Sequence, residues 1–468
     1  MKKAILNIPA PKVAQAKQRH QLQCGIASGF KPMPYVLTLL LILLLLSVES
    51  SLQTSIVWDR STAWTPWLYK IGALSIADLV IIVLSTFTIG MLLRRARIVR
   101  TCYLDLCALA WGYLGIGVIY NLFVFKFWKT FLYDLKVVLY LTIPYLFLQV
   151  VGVERIRLWL APTRLFIYVG LAGLGDVAIV NWFGHVEYPS SLGLPVIPSL
   201  IPLSLVIVCA LRAPSRVYRL MFIVMLALEV MNAFNRLSLG LLFQGTVTLG
   251  LVGIFYIGKK PSPPLRASMI LFWLVGTQIF YLLLLTNPFQ WGWLSAKSDG
   301  AHTRQIQIEN VLLNFKRNIP GVIGKGLGST WFEIVPTPEA DIYAVGTSVG
   351  ETYQEAMVMP VKFIFNSYLA GVLYKWGIIG LILLISLIAR YHSLMSAKLD
   401  HLRRIGLNPD EARWLAVYLL VASIFIIENF TYIGILKTSL ITSLMAFYVE
   451  HQIKLHAENL RAPLLNLK

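Results

Sequence analysis

Two arginines have the chemistry to hold a polyanion. Arg236 stands in NAFNRLSLGLL, where two apolar runs meet with almost no loop between them. Arg304 lies in HTRQIQIENVLLNFKRN, near the start of a segment that reads as an amphipathic helix ending before Pro320. Guanidinium groups grip phosphate bidentately, so the pair could hold a lipid-linked pyrophosphate. Both residues also suit plainer roles. Arg236 could anchor to headgroups or pair with Glu229, and Arg304 could cap a surface helix.

General acid–base chemistry has three candidates. Glu351 and Glu355 in GETYQEA are four residues apart and share a face if that stretch is helical. They could act as a base or bind sugar hydroxyls, or simply form a solvated face. His302 lies two residues before Arg304. A histidine titrates in the useful range, but the sequence supplies no partner for it. Gly324, Gly326 and Gly328 alternate in PGVIGKGLGSTWF. Alternating glycines let a backbone turn tightly and approach a ligand closely. The stretch lacks the phosphate-loop spacing and follows no strand as a dinucleotide site would, so a plain turn also accounts for it. In NSYLAGVLYKWGIIGLI, residues 366–382, Asn366 or Ser367 suits a helix cap, and Gly377 and Gly380 suit close helix packing.

The elements that position these residues are membrane spans. The 468-residue chain is 57% hydrophobic and 13% charged, with mean hydropathy +0.71. That charge content is about half that of a soluble domain. Apolar runs near the bilayer-crossing length fall at about 35–52, 71–93, 103–125, 131–152, 165–184, 195–211, 217–235, 237–257, 267–286, 366–389, 414–434 and 436–450. The expected fold is all-α and polytopic, with about 12 transmembrane helices. A β-barrel would show short alternating segments instead. The first run reads as a retained signal anchor.

Net charge is +19, with the basic residues in short connections. Arg94, Arg95, Arg97 and Arg100, then Arg212, Arg216 and Arg219, then Lys259, Lys260 and Arg266, and finally residues 390–413, all fall on one side of a twelve-span map. The positive-inside rule makes that side, and both termini, cytoplasmic. No nucleic-acid motif accompanies the charge. Cys24, Cys102, Cys107 and Cys209 imply neither a disulfide framework nor a metal site. The map divides the chain into a basic tail (1–34), spans 1–9 (35–286), a large outer loop (287–365), spans 10–12 (366–450) and a cytoplasmic tail (451–468). Loops of that length are usually functional or disordered, and Trp291, Trp293, Trp331, Phe332 and Tyr343 point to an ordered one. Asp78, Asp134, Lys136, Asp176, Glu229, Lys375 and Glu428 fall inside spans. Such charges are functional candidates by default, but no single span carries a series of them, as a carrier would.

The order of these pieces resembles the O-antigen ligase and polymerase superfamily of polytopic membrane glycosyltransferases. An arginine at a span junction precedes LSLGLL, and a second arginine opens the large loop. PGVIGKGLGSTWF is similar to the family's plfGvGpgnf, and NSYLAGVLYKWGIIGLI to its HNxyLxxxxxxGxxG. The topology match covers most of the chain and the motif match about residues 230–385. The resemblance implies a GT-C-like, cofactor- and metal-independent enzyme of the bacterial cytoplasmic membrane acting on undecaprenyl-pyrophosphate-linked oligosaccharide at the periplasmic face. It implies that Arg236 and Arg304 hold the donor pyrophosphate. Gly326 and Gly328 would shape the loop over the site, and Asn366 would lie beside the acceptor. Phe365 stands where the ligases have histidine, and the spacing from Asn366 to Gly377 is one residue longer than the pattern. Either the helix carries a bulge or Ser367 takes the asparagine's place. The missing histidine favours a polymerase of envelope polysaccharide over a ligase. Glu351, Glu355 and His302 are then the candidate bases. A lipid-linked-sugar flippase and a non-catalytic carrier-binding relative are the competing classes. A chain-length regulator is the protein partner such a polymerase would admit.

Overall fold

The computed structural model describes residues 70–71, 74–94, 98–125, 128–151, 262–272, 306–314, 321–329, 331–332, 361–362, 368–431 and 436–465, with short pieces within 215–227 and at 250–251, 276 and 335. Six longer helices carry the architecture: α1 (Ile76–Leu93), α2 (Cys102–Tyr120), α3 (Trp128–Val151), α4 (Tyr368–Arg404), α5 (Pro409–Thr431) and α6 (Leu436–Leu465). A π-helical turn, Asn121–Phe125, follows α2. The described strands form two-residue antiparallel pairs: β1 (Lys70–Ile71) with β2 (Leu74–Ser75), and β3 (Trp331–Phe332) with β4 (Val361–Lys362).

Among the described residues, three helical stretches are long and apolar enough to cross a membrane: Cys102–Phe123, Gly371–Arg404 and Pro409–Thr431. The spans expected at 35–52, 165–184 and 195–211 lie outside the described residues. The burial pattern agrees with a lipid setting. Ile82, Val83 and Ile89 of α1, Leu132 of α3, and Ile378, Ile379, Ile382 and Leu383 of α4 are exposed apolar side chains. Such large apolar outer faces are foreign to a soluble monomer. α5 packs between α4 and α6, α3 packs on α1, α2 and α6, and α2 also packs on α4. Inside, short polar side chains link the helices, as they do where lipid removes the hydrophobic drive for helix pairing. Asn429 Nδ2 donates to Thr442 Oγ1 at 2.9 Å, and Ser439 Oγ donates to Asn429 Oδ1 at 3.1 Å.

Several helix ends differ from the apolar boundaries. α1 begins at Ile76 rather than 71, because β1 and β2 form a tight antiparallel pairing before it. α4 runs past 389 to Arg404, and α5 begins at Pro409, so most of the expected 390–413 connection is helix. The reason is that Tyr391, Met395, Leu399 and Leu402 recur at helical spacing and are buried. The remaining connection is capped at both ends. Gly406 adopts φ +105°, Leu407 N–H donates to Leu402 O at 3.0 Å, and Gly406 N–H donates to Arg403 O at 3.5 Å, which is a Schellman stop. Asn408 Oδ1 then accepts from Asp410 N–H at 3.0 Å to start α5. α6 continues beyond 450 to Leu465.

The helices define two ends. Arg94, Arg100, Arg266, Arg403, Arg404 and Arg413 gather at one, with Asp400 paired to both Arg266 and Arg403. Tyr145 donates to Glu450 there, and Thr101 and Tyr145 share a hydroxyl contact at 2.7 Å. The π-turn and the starts of α3 and α4 lie at the other, together with residues 321–329.

Candidate functional site: the glycine turn in a broken helix

α4 is not continuous. Gly377 has φ +65° and ψ −173°, which breaks the helix between two helical pieces. A break inside an apolar helix frees backbone groups that must find partners. Residues 321–329 supply them. Lys325 N–H donates to Tyr374 O and Gly326 N–H to Lys375 O, both at 2.9 Å, while Ile379 N–H donates to Val322 O at 2.9 Å. The turn thus replaces one missing turn of helix.

Three glycines make this possible. Gly324, Gly326 and Gly328 have φ of +86°, +83° and +80°, a region that side chains rarely tolerate. Each also sits against backbone. A Cβ on Gly324 would collide with the main chain at Trp376–Gly377, one on Gly326 with Gly117, and one on Gly328 with Phe131. The reverse holds too, since a Cβ on Gly117 would collide with the Leu327 carbonyl. Leu327 N–H donates to Tyr113 O at 3.0 Å. The segment is therefore inserted among α2, α3 and α4. It is not the plain surface turn that alternating glycines alone would explain.

Side chains fix it further. Asn121 Nδ2 donates to Gly117 O and to Gly328 O, each at 2.9 Å. Asp134 Oδ2 accepts from Gly328 N–H at 2.6 Å and from Lys375 Nζ at 2.7 Å. Asp134 and Lys375 are both buried, so one ion pair ties α3, α4 and the turn together. Ser329 Oγ donates to Gly326 O at 2.7 Å. The Tyr113 and Trp376 rings meet at 4.7 Å beside Gly380. The segment 306–314 packs on α4 through Val311 and Tyr374. Asn310 holds Val335 by both of its backbone groups, at 2.9 and 2.8 Å.

Lys325 is the residue of this turn that is unlike its neighbours. It is only 4% exposed. Its Nζ lies 4.9 Å from the centre of the Tyr120 ring. Burial pushes its ammonium below the ordinary lysine range.

Of the residues singled out from the sequence, Gly326 and Gly328 lie in this turn. Their amide N–H groups are committed to Lys375 O and Asp134 Oδ2, so they shape backbone rather than offer free donors. Arg236, Arg304, His302, Glu351, Glu355 and Asn366 lie outside the described residues. Two pairs of opposite charges from the apolar runs find each other: Asp134 with Lys375, and Asp78 with Lys136 at 2.6 Å. Sequence reading had Asp134 and Lys375 as separate charges. Their opposite signs, both near span ends that face the same side, were the available signal. Lys325 and Asn121 were not singled out at all. A lysine held between two glycines was the only hint.

Comparison of the chain with protein-family models, with curated proteins and with solved structures finds no match in any of the three.

Proposed function

We propose that this chain is a polymerase of envelope polysaccharide, joining undecaprenyl-pyrophosphate-linked repeat units on the outer face of the bacterial cytoplasmic membrane. One observation supports the reading most. PGVIGKGLG and YLAGVLYKWGIIG, two pieces of the sequence resemblance that lie far apart in the chain, hydrogen-bond to each other at one end of the helices. They form a single unit, as two motifs of one site should.

In this reading the basic end of the helices is cytoplasmic and the turn end is outer. Arg236 and Arg304 hold the donor pyrophosphate. A hydroxyl of the incoming lipid-linked repeat attacks the anomeric carbon of the growing glycan. The new C–O bond forms as the bond to phosphate breaks. The hydroxyl proton passes to a base, for which Glu351, Glu355 and His302 are the candidates. Lipid pyrophosphate leaves with its charge stabilised by the arginines. Phe365 in the place of the ligase histidine favours this reaction over transfer to a foreign acceptor.

The test is the glycan profile of a deletion strain, sized by gel and mass spectrometry. Single repeats on the outer face are expected. Long polymer retained on its lipid would instead indicate a ligase, and repeats trapped inside would indicate a flippase.

A further inference from the structure

We infer that Lys325 is a binding residue for a lipid-borne phosphate, held ready by the glycine turn at the break in α4. The inference deepens the donor reading and rests on it for the choice of lipid.

The first argument is a contrast among cations. Within the described part of the molecule, Lys375 pairs with Asp134, Lys136 with Asp78, and Arg266 with Asp400. Lys325 is as enclosed as these, yet among the described residues its ammonium meets no carboxylate. The Tyr120 ring faces it instead. A cation over such a face recovers less than a buried charge loses on leaving water. An uncompensated buried cation persists where an anion arrives to complete it.

The second argument is rigidity. The Lys325 main chain is pinned by its N–H bond to Tyr374 O and flanked by two glycines locked against α2 and α4. The side chain therefore leaves from a fixed point, and little order remains to be imposed on binding. Trp376 Nε1 adds a second buried donor that meets no acceptor among the described residues, at the same helix break.

The third argument is the surroundings. Val322 and Ile323 lead into the turn, and Ile378 and Ile379 follow the break in α4. All four are about half exposed, and Val322 and Ile379 are joined backbone to backbone. An apolar rim beside an enclosed cation fits an amphiphile, with its chain along the rim and its phosphate at Lys325. A compact ammonium suits phosphate as a point charge. Asp134 does not oppose this, because Lys375 already balances it.

The experiment uses the full chain in nanodiscs of a neutral phospholipid, titrated with farnesyl pyrophosphate and, as a phosphate-free control, farnesol. Bound lipid is read by native mass spectrometry. Lys325→Met keeps the stem and removes the charge. It is expected to weaken farnesyl pyrophosphate binding by about tenfold or more, the value of a lost charged hydrogen bond, while leaving farnesol unchanged. It is also expected to raise the thermal midpoint. Lys325→Arg should restore most of the binding. Equal binding by wild type and Lys325→Met would overturn the inference, as would equal loss of farnesol. Phosphatidylglycerol added as competitor separates the sources. Effective competition makes the site a general headgroup site, and failure to compete makes it a pyrophosphate-lipid site. Both outcomes retain Lys325 as the phosphate contact. The donor reading fails separately, through the deletion strain, and Lys325→Met binding data stand whichever way that falls.

Discussion

The two ends of the helix assembly solve the same problem by opposite means. At the basic end, a helix stops and another starts in the ordinary way. Gly406 provides the left-handed residue, Leu407 closes the Schellman bond, Asn408 caps the next helix, and Arg100, Arg266, Arg403 and Arg413 sit beside carboxylates. Nothing lies within 4 Å of where a Cβ on Gly406 would be. At the turn end, four left-handed glycines are pressed against backbone, one helix is broken, and one enclosed lysine meets no carboxylate among the described residues. Local rules set the helix stop and start at the first end. The second holds together only through contacts between distant parts of the chain. Positions that only glycine can fill against neighbouring backbone gather at the turn end, while the basic end uses conventional caps.

The largest effects that would break this comparison come from the glycines. Gly326→Ala is expected to cost more than 3 kcal/mol and expose the turn to protease, because left-handed strain adds to a clash with Gly117 backbone. Gly406→Ala has the same kind of φ but open space, and should cost only about 1–2 kcal/mol. Thermal unfolding of the purified protein, with limited proteolysis, measures both. Equal losses would erase the distinction between the two ends.

Next in size is the buried pair. Lys375→Met strands Asp134 and should cost roughly 3–5 kcal/mol. Adding Asp134→Asn should return much of that loss, since neither charge is then left uncompensated. The double-mutant cycle measures the coupling. Failure of the second substitution to rescue the first would show that the hydrogen bond to Gly328, rather than the charge pair, dominates.

The smallest effect sharpens the contrast between Lys325 and Lys375. The folded state lowers the affinity of Lys325 for its proton, so its charge opposes folding at pH values below its folded pKa. That penalty fades as pH rises from the folded value toward the ordinary lysine value. The advantage of Lys325→Met in thermal midpoint is therefore greatest near neutral pH and shrinks as the buffer becomes alkaline. An advantage independent of pH would assign the effect to packing. Asp134, Lys375 and Tyr120 are common to both proteins, so the difference isolates Lys325.

Composition and run length made the apolar helices legible, because about 20 apolar residues have few other uses. They did not reveal where the helices end. α4 and α6 run on through residues whose apolar positions recur at helical spacing beneath a polar sequence average. The candidate site was legible only in part. Gly324, Gly326, Gly328 and Gly377 stood out because glycine is a local signal. The one-residue excess between Asn366 and Gly377 left two readings open, a bulge in the helix or Ser367 in the asparagine's place. α4 is broken at Gly377, while Asn366 and Ser367 lie outside the described residues. What each glycine meets was invisible, since Gly117 and Phe131 lie about two hundred residues earlier. The pairing of Asp134 with Lys375 was hidden for the same reason. Sequence reading places charges along spans but does not say which spans touch.

The break in α4 also constrains how the molecule is built. The freed carbonyls of Tyr374 and Lys375 and the freed N–H of Ile379 are answered by a segment synthesised some fifty residues earlier. That segment has no regular structure of its own to hold those groups in place. Neither piece is complete when it leaves the ribosome, and neither can finish before the other arrives. The turn and the break in α4 can therefore satisfy each other only once both have been synthesised.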